Sequence, residues 1–262
     1  MRDDPSGAPP PGTGPASIPE EWAALAGWWM REGVDDPSYS EDVVPMLHDL
    51  IGDPGGRVLD LGCGEGHIMA TFPGVAVLGC DVTPALLSEA RSVGPVIRCR
   101  LPDLGWLRTG SIEAAYAVFV FEHLPDLATM FEEAGRVVRP GGSLVVVANH
   151  PAYTARGAGP VIDQSDGEVL WRWGPYFEHS SSLEPVGAVL VTFFHRPLGA
   201  VLTTAAEAGW DLRRMVEIGL GSASVAGDPG YVGQEHMPRM VGMRWENGRS
   251  LKTSRWNADD SQ

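Results

Sequence analysis

The amino-acid sequence predicts an α/β fold in which helices cover both faces of a mostly parallel β-sheet. Short apolar runs alternate with helical stretches between residues 58 and 149, the order typical of parallel strands joined by right-handed crossovers. A glycine-rich turn, "DLGCGEG" at residues 60–66, ends the first of these runs. The chain of 262 residues has the length of one large domain.

Composition restricts the possible partners. The chain has 19 Lys and Arg against 34 Asp and Glu, a formal net charge of −15, which repels a phosphate backbone, so we expect no nucleic-acid partner. No apolar run is long enough to cross a bilayer, so we expect no membrane partner. The three cysteines, Cys63, Cys80 and Cys99, form no CxxC pair, which fits reduced thiols in a cytoplasmic protein.

Composition also predicts the domain boundaries. Residues 1–18 are rich in Pro, Gly and Ser and lack the apolar region of a signal peptide, which predicts a disordered leader. Residues 19–246 are expected to form a single domain. Residues 247–262 are polar and are predicted to be a mobile tail.

Two helices are predicted before the first strand. In residues 20–31, Trp22, Leu25, Ala26 and Trp29 recur at helical spacing, and core packing is the simplest interpretation of this stripe. The second helix is predicted over residues 41–51. Ser38 and Glu41 have the spacing of a capping box, although Pro45 interrupts the pattern.

The alternating region predicts five strands and three helices. The helices are predicted over residues 65–71, over residues 84–93, and from the cap at Asp126 to "RPGG" at residues 139–142. The predicted strands cover residues 58–60, 75–81, 96–100, 114–119 and 143–149.

The alternation breaks after the fifth strand. Residues 149–196 are rich in aromatic and turn residues, as in "WRWGPYFEH", and are predicted to be an insertion. A helix over residues 197–208 and strands over residues 212–218 and 240–245 are predicted to follow.

The glycine turn discriminates between two ligand classes. Such a turn lets a ligand approach the backbone and aims free N–H groups at it. Dinucleotide enzymes use GxGxxG, but His67 stands where the third glycine would be needed. The chain has DxGxGxG on Asp60, Gly62, Gly64 and Gly66 instead, and the next strand ends in Asp81, where a carboxylate can accept both hydroxyls of a ribose.

Residues 58–66, "VLDLGCGEG", resemble motif I of the class I S-adenosylmethionine-dependent methyltransferases. The stretches "GSIEAAYAVFVFEHLPDL" and "RVVRPGGSLVVV" are similar to the fourth and fifth strand regions of that family, with Glu113 where the family usually has aspartate. The resemblance implies a Rossmann-like, doubly wound, seven-stranded sheet. It also implies S-adenosyl-L-methionine as cofactor, S-adenosyl-L-homocysteine as product, and a small-molecule acceptor covered by the insertion.

The same resemblance implies the cofactor-binding residues. Gly62, Cys63, Gly64 and Gly66 would line the methionine end, Asp60 would order the turn and Asp81 would hold the ribose. Val82 and Leu104 would enclose the adenine, with Asp103 on its amino group, although a shift of register would put Cys99 or Arg100 there. Ala117, Val118 and Phe119 would form the floor. For Val82, Leu104 and Phe119 an ordinary core position is an equal alternative.

A base is needed only if the acceptor keeps a proton, and histidine is the usual base near neutral pH. His195, His150 and His123 are the predicted catalytic residues, since each lies at an expected strand end or in the insertion. Trp171, Trp173, Tyr176 and Arg196 are predicted to contact the acceptor, together with Asp163. If the insertion is only a cover, the acceptor is expected near Trp29 and Tyr39. We predict no metal ligands.

Four alternatives remain from the sequence. A dinucleotide oxidoreductase is disfavoured by His67, and a nucleic-acid methyltransferase by the charge and by "AVFVFEHL" in place of an "NPPY"-like stretch. Other chemistry on S-adenosylmethionine and a noncatalytic cofactor-binding module both stay open. The acceptor, the atom methylated and the oligomeric state are not determined by the sequence.

Overall fold

The computed structural model describes residues 16–33, 36–227 and 229–249 of the chain. The helices of this part are α1 (Ile18–Trp28), α2 (Val44–Ile51), α3 (Pro84–Ala90), α4 (Leu127–Val137), α5 (Pro151–Thr154), α6 (Leu198–Glu207) and α7 (Ser222–Gly227). The strands are β1 (Val58–Leu61), β2 (Val77–Asp81), β3 (Val96–Arg98), β4 (Ile112–Val118), β5 (Val138–Asn149), β6 (Gly159–Ile162), β7 (Val169–Arg172), β8 (Ser180–Val186), β9 (Val189–His195), β10 (Trp210–Ile218) and β11 (Met240–Asn247).

Seven of these strands form one sheet in the order β10-β11-β5-β4-β1-β2-β3. Strands β1 to β5 pair in parallel, whereas β11 is antiparallel to both β5 and β10. The prediction of a doubly wound, mostly parallel, seven-stranded sheet is therefore confirmed. The strand order reverses between β1 and β4, and that reversal fixes where an open sheet of this kind binds ligands.

The central strands are buried on both faces, which is why they are apolar without alternation. On one face, Ala115, Ala117, Leu144 and Val146 pack in a cluster that includes α4 and α6. On the other face, residues of the same two strands, such as Tyr116 and Val145, pack with α2. Because neighbouring residues of a strand point to opposite faces, one apolar run supplies two core layers.

Three local predictions were wrong. Residues 65–71 form a turn and only a short 3₁₀ segment, Met69–Thr71, because Gly66 has a φ of +92° that a helix cannot accommodate. Ser38 caps no helix, since its side chain makes no cap hydrogen bond and its N–H donates to Asp36. A π-helical turn, Tyr39–Val43, precedes α2 instead, and Pro45 lies in the first turn of α2, where its missing N–H costs no bond. The strand predicted over residues 143–149 begins earlier, at Val138, so "RPGG" lies inside β5 with an irregular register, although α4 does end directly before this stretch, at Val137.

The segment between β5 and α6 forms helix α5 and two separate hairpins, β6–β7 and β8–β9. The second hairpin is attached to helix α1. Buried Glu21 accepts hydrogen bonds from the backbone N–H of Thr192, at 2.9 Å, and from its hydroxyl, at 2.7 Å. The amino-terminal helix and the insertion therefore form one cover over the same side of the sheet.

The predicted leader and tail lie mostly outside the described residues. Within the described part, α1 already begins at Ile18. At the other end, Asn247 is buried and its amide donates to the carbonyl groups of Gly135 and Val138. Among the described helices, none combines the length and apolarity that crossing a membrane requires.

Candidate cofactor and acceptor site

A cavity of about 240 Å³ opens at the carboxyl ends of β1, β2 and β4, at the reversal of strand order. Its walls come from the glycine turn after β1, from the residues that end β2 and β4, and from α1. The predicted cofactor residues that line it are Asp60, Gly62, Cys63, Gly64, Asp81, Val82, Val118 and Phe119. Most of the motif that the sequence singled out thus surrounds one cavity.

The three glycines of the turn have different functions. A Cβ atom on Gly64, whose φ is +53°, would meet no atom within 4 Å, so the backbone borders open space. A Cβ on Gly62 would lie 2.5 Å from Cγ2 of Val120, and one on Gly66 would lie 3.2 Å from Cα of Ala90. Gly64 therefore leaves room for a ligand, whereas Gly62 and Gly66 allow close packing of the protein itself.

One buried carboxyl group, that of Asp60, and one half-buried carboxyl group, that of Asp81, line the cavity. Asp81 accepts hydrogen bonds from the backbone N–H of Gly64, at 3.1 Å, and of Thr83, at 2.7 Å. Burial raises the pKa of Asp81, while these hydrogen bonds oppose the rise. Asp60 is only 2% exposed and accepts a hydrogen bond of 2.9 Å from the hydroxyl of Tyr116. Burial raises the pKa of Asp60 to about 8, and the hydrogen bond from Tyr116 opposes this.

Aromatic residues of the amino-terminal segment cover the cavity. The indole N–H of Trp29 donates to Oε2 of Glu65 in the glycine turn at 2.9 Å. Trp29 also packs edge to face on Trp22 and on Tyr39. The sequence interpretation of this stripe as core packing holds for Leu25 and Ala26, which are buried. It is incomplete for Trp22 and Trp29, because both are only half-buried and line the cavity.

A second cavity, of about 640 Å³, lies beside the first. Its walls include residues of α1, of β9 and of the segment before β11, such as Leu25, Phe193 and Arg239. The two cavities share five lining residues: Trp22, Trp29, Tyr39, Phe119 and His123. This shared wall is the point at which a molecule in one cavity can meet a molecule in the other.

Phe119 stands at this junction with an unusual backbone. Its φ of 54° is the only positive φ of a non-glycine residue in the part of the chain that the structure describes. The conformation is disfavoured for a bulky side chain and is held by a hydrogen bond of 2.8 Å from its N–H to the carbonyl of Val147. Its ring packs edge to face on Tyr39. Strain of this kind occurs most often at ligand sites.

Four predicted cofactor residues do not line the cavity. Leu104 and Ala117 are completely buried in the core, which for Leu104 is the alternative that the sequence left open. Asp103 is exposed and accepts a hydrogen bond from the N–H of Gly105. Cys99 and Arg100, the alternatives for the adenine position, do line the cavity. The fourth residue, Gly66, supports the turn from behind.

The three histidines have different environments. Nδ1 of His195 lies 3.0 Å from the hydroxyl of Thr154, and its Nε2 lies 2.8 Å from the carbonyl oxygen of Tyr176. His150 caps α5 by accepting a bond from Ala152 through Nδ1, and its Nε2 lies 2.7 Å from Glu217. Burial lowers the pKa of both imidazoles. Neither has a ring nitrogen without a partner, and neither lines the two cavities.

His123 is arranged differently. Its Nδ1 lies 2.9 Å from the carbonyl of Thr192, which requires this nitrogen to carry the proton in the neutral ring. Nε2 then has a free lone pair, and no described residue forms a hydrogen bond with it. The ring stands between Trp22 and Phe193 and lines both cavities.

The residues predicted to contact the acceptor lie in the insertion, outside the walls of both cavities. Trp171 donates to the carbonyl of Ala152 at 3.2 Å, and Trp173 is 54% exposed. The hydroxyl of Tyr176 accepts from the N–H of Leu198 at 3.1 Å. Arg196 donates to the carbonyl groups of Leu124 and Pro125, and Asp163 closes an exposed turn with Ser165. Their roles toward an acceptor stay predictions.

Comparison with known proteins agrees with this geometry. Residues 59–146 match a family described as a methyltransferase domain. The trans-aconitate 2-methyltransferase of Rhizobium meliloti is 36% identical over 112 residues, 41% of this chain and 42% of that protein. A ubiquinone biosynthesis O-methyltransferase of Xanthomonas oryzae is 33% identical over 140 residues, 48% of this chain and 57% of that protein. The chain thus spans about half the length of the curated relatives it matches.

Solved structures extend the similarity beyond that segment. An S-adenosylmethionine-dependent methyltransferase from Mesorhizobium loti superposes with a TM-score of 0.68 at 25% identity, over 82% of this chain and 100% of that one. Residues 59–146 thus match a methyltransferase domain, and the fold around them resembles that of an S-adenosylmethionine-dependent methyltransferase. The predicted class is confirmed, and with it S-adenosyl-L-methionine as the cofactor of the domain.

The cavity fits this cofactor. S-adenosyl-L-methionine carries a sulfonium and an ammonium group, and Glu65 and Asp81 place carboxyl groups at the wall of the cavity. The open space at Gly64 admits a ligand to the backbone. Among the described residues, no group of His, Cys, Asp and Glu side chains is arranged to hold a metal ion.

Proposed function

We propose that this protein is an enzyme that transfers the methyl group of S-adenosyl-L-methionine to a small-molecule acceptor. The observation that carries the proposal is the wall shared by the two cavities, where Phe119 and His123 border both. A cofactor in the first cavity and an acceptor in the second would meet at that wall, and holding two reactants in a fixed geometry makes a large contribution to catalysis.

On the cofactor side, the chain supplies the glycine turn after β1 and carboxyl groups that border the cavity. The sulfonium of the cofactor supplies an electrophilic methyl group, so the protein needs no further activation of the donor. Gly64 leaves the space for the methionine end, and Asp81 offers a carboxylate at the end of β2 for the ribose. The hydrogen bond between Glu65 and Trp29, the residue directly after α1, holds this end of the helix over the cavity, which excludes water from the reacting groups.

On the acceptor side, the second cavity is mainly apolar and aromatic. Trp22, Leu25, Val191 and Phe193 form much of its wall, and such a surface suits an organic molecule more than a nucleic acid. The net charge of −15 also disfavours a nucleic acid. The names of the two relatives, a trans-aconitate and a ubiquinone biosynthesis methyltransferase, support a small acceptor. A cytoplasmic location remains part of the proposal.

His123 is the residue that we propose as general base, if the acceptor carries a proton. Its Nε2 has a free lone pair at the junction, and its Nδ1 is fixed by the carbonyl of Thr192. His150 and His195 stay as weaker alternatives because both of their ring nitrogens are already bonded. A base within hydrogen-bond reach of the substrate contributes about 10²- to 10⁴-fold to such reactions.

Two measurements test the proposal. Calorimetric titration with S-adenosyl-L-homocysteine is expected to give binding, and titration with NAD is expected to give none. Incubation with methyl-labelled cofactor and a fractionated pool of small metabolites is expected to yield a labelled product. Binding of the cofactor product without any labelled compound would favour a noncatalytic module, and consumption of cofactor without methyl transfer would favour other chemistry on the same ligand.

A further inference from the structure

Arg239 has an arrangement that the cofactor site does not explain. Its guanidinium carbon lies 3.5 Å from the ring centroid of Tyr153, a cation–π contact that fixes the plane of the group. Tyr153 in turn stacks on Trp171, with centroids 5.5 Å apart and an interplanar angle of 28°. Trp171 is itself held by its hydrogen bond to Ala152. The guanidinium is thus positioned by a stack of aromatic rings that belongs to the insertion.

The backbone places Arg239 at the ligand edge of the sheet. Its N–H donates to the carbonyl of Ile218 at 2.8 Å, and its carbonyl accepts from the N–H of His150 at 2.9 Å. It therefore directly precedes β11, beside the carboxyl end of β5. Its side chain lines the second cavity, the one that we assign to the acceptor.

No described residue pairs with this cation. Nη1 is buried without a hydrogen-bond partner, and the other side-chain nitrogens also form no hydrogen bond or ion pair within the described residues. Arg136, Arg139, Arg213 and Arg214, by contrast, each pair with a carboxylate. A partly shielded guanidinium without an oxygen partner loses part of the hydration of an exposed one, and here only the cation–π contact with Tyr153 offsets that loss.

The carboxylates of the cavity do not fill this role. Glu32, Asp36 and Asp42 line the second cavity, but none lies within ion-pair distance of Arg239. The fork of an arginine matches the two oxygens of a carboxylate or phosphate better than any other ligand group. The partner that this side chain lacks is therefore an anion that enters the cavity from solution.

We propose that Arg239 is an anion-binding subsite, and that the acceptor carries a carboxylate or phosphate group bound by this guanidinium. The inference rests on the proposed function, since it assigns the second cavity to the acceptor. An acceptor held in this way has its anionic group at Arg239, away from the carboxylates, and an apolar body along Leu25, Val191 and Phe193. That body extends toward the junction at Phe119 and His123.

The test uses small aromatic probes that differ only in charge. Full-length protein saturated with S-adenosyl-L-homocysteine is titrated calorimetrically with phenylacetate, phenyl phosphate and neutral phenylacetamide. We expect at least one anion to bind about 10- to 100-fold more tightly than the amide, as for hydrogen bonds to a charged group. The tighter of the two anions distinguishes a carboxylate from a phosphate acceptor.

Variants identify the residue responsible. Arg239→Met keeps an unbranched side chain against Tyr153 but removes the charge, and is expected to lose the preference for the anion while binding the amide as before. Arg239→Lys keeps the charge without the fork and should be intermediate. Arg213→Met is the matched control, because Arg213 pairs with Glu246 on the exposed surface of β10, and it should behave as wild type.

Other outcomes are equally clear. Equal binding of anion and amide by wild type, no binding of either anion, or an unchanged preference in Arg239→Met would overturn the proposal. Melting temperature and affinity for S-adenosyl-L-homocysteine, both expected to be unchanged, establish that Arg239→Met is folded. A protein that binds no S-adenosyl-L-homocysteine but still prefers anions through Arg239 would refute the proposed function and keep the anion subsite.

Discussion

The backbone N–H of Gly64 donates a hydrogen bond of 3.1 Å to Oδ2 of Asp81. The glycine turn after β1 and the acid that ends β2 are therefore one unit, and the same carboxylate also accepts from the N–H of Thr83. Asp81 both shapes the turn and lines the cavity in which a ribose is expected. Removing it should affect the ligand and the turn together.

The first prediction concerns this carboxylate. Asp81→Ala is expected to weaken binding of S-adenosyl-L-homocysteine by about 1.5 to 3 kcal/mol, the usual contribution of hydrogen bonds to a charged group. Titration calorimetry measures the change. Asp103→Ala is the matched control, because Asp103 is exposed and outside the cavity, and its affinity should equal that of wild type. If only Asp103→Ala lost affinity, the cofactor would be bound by Asp103, the residue that the sequence predicted to contact the adenine amino group.

A second prediction separates two glycines of the turn. Gly62→Ala is expected to lose about 2 to 4 kcal/mol of folding stability, since its Cβ would lie 2.5 Å from Val120 in a left-handed backbone. Gly64→Ala meets no protein atom, so about 1 kcal/mol is expected from its positive φ alone. Its affinity for S-adenosyl-L-homocysteine should nevertheless fall about tenfold or more, because the methyl group occupies the open space. Urea unfolding and calorimetry give the two values; equal affinity of Gly64→Ala and wild type would contradict the assignment.

The sheet could be predicted from the sequence because its signals are local. The apolar runs of β1, β4 and β5 are buried on both faces, and the glycines with their flanking acids lie at the strand ends that the motif requires. The turn was also predicted, yet not its length, because a helix over residues 65–71 and a tight turn are equally compatible with "EGHIMAT". Only the positive φ of Gly66 decides between them.

The acceptor side could not be predicted in the same way. Arg239 is an isolated cation in sequence, and only the approach of β11 to β5 brings it beside Tyr153. His123 gains its position from Thr192, a contact between residues 69 apart in the chain. Trp22 and Trp29 were assigned to the core by their helical spacing, which gives the buried face of a helix but not whether that face meets protein or a cavity.

A third prediction concerns Asp60. Its pKa is raised from 3.8 to about 8, so between these values the folded protein holds a proton that the unfolded chain has lost. The contribution of Asp60 to the free energy of unfolding should therefore fall as pH rises from 4 to 8, by up to about 1.4 kcal/mol per pH unit. Asp60→Asn keeps an acceptor for Tyr116 and removes this slope. Its stability relative to wild type should increase steadily with pH and level off above pH 8.

Asp126→Asn is the control for that experiment. Asp126 caps α4, and its hydrogen bonds from Thr129 hold its pKa below the ordinary value. Its contribution is complete above the unfolded pKa, so the difference between Asp126→Asn and wild type should not change between pH 5 and 8. Urea unfolding at several pH values measures both variants. A constant difference for Asp60→Asn as well would mean that Asp60 is ionised throughout this range.

The last prediction distinguishes the histidines. In His123→Asn the side-chain amide can still donate to the carbonyl of Thr192, but the free Nε2 is gone. If the acceptor gives up a proton, turnover should fall about 100-fold or more, the acidic limb of the pH–rate profile should disappear, and affinity for S-adenosyl-L-homocysteine should be unchanged. His195→Gln and His150→Gln should instead lower the melting temperature and have only a small effect on turnover, because the ring nitrogens of these histidines hold Tyr176 and the start of α5. If His123→Asn keeps full turnover and an unchanged pH–rate profile, the acceptor reacts without a base. If only His195→Gln loses turnover, the catalytic residue is His195 of the insertion.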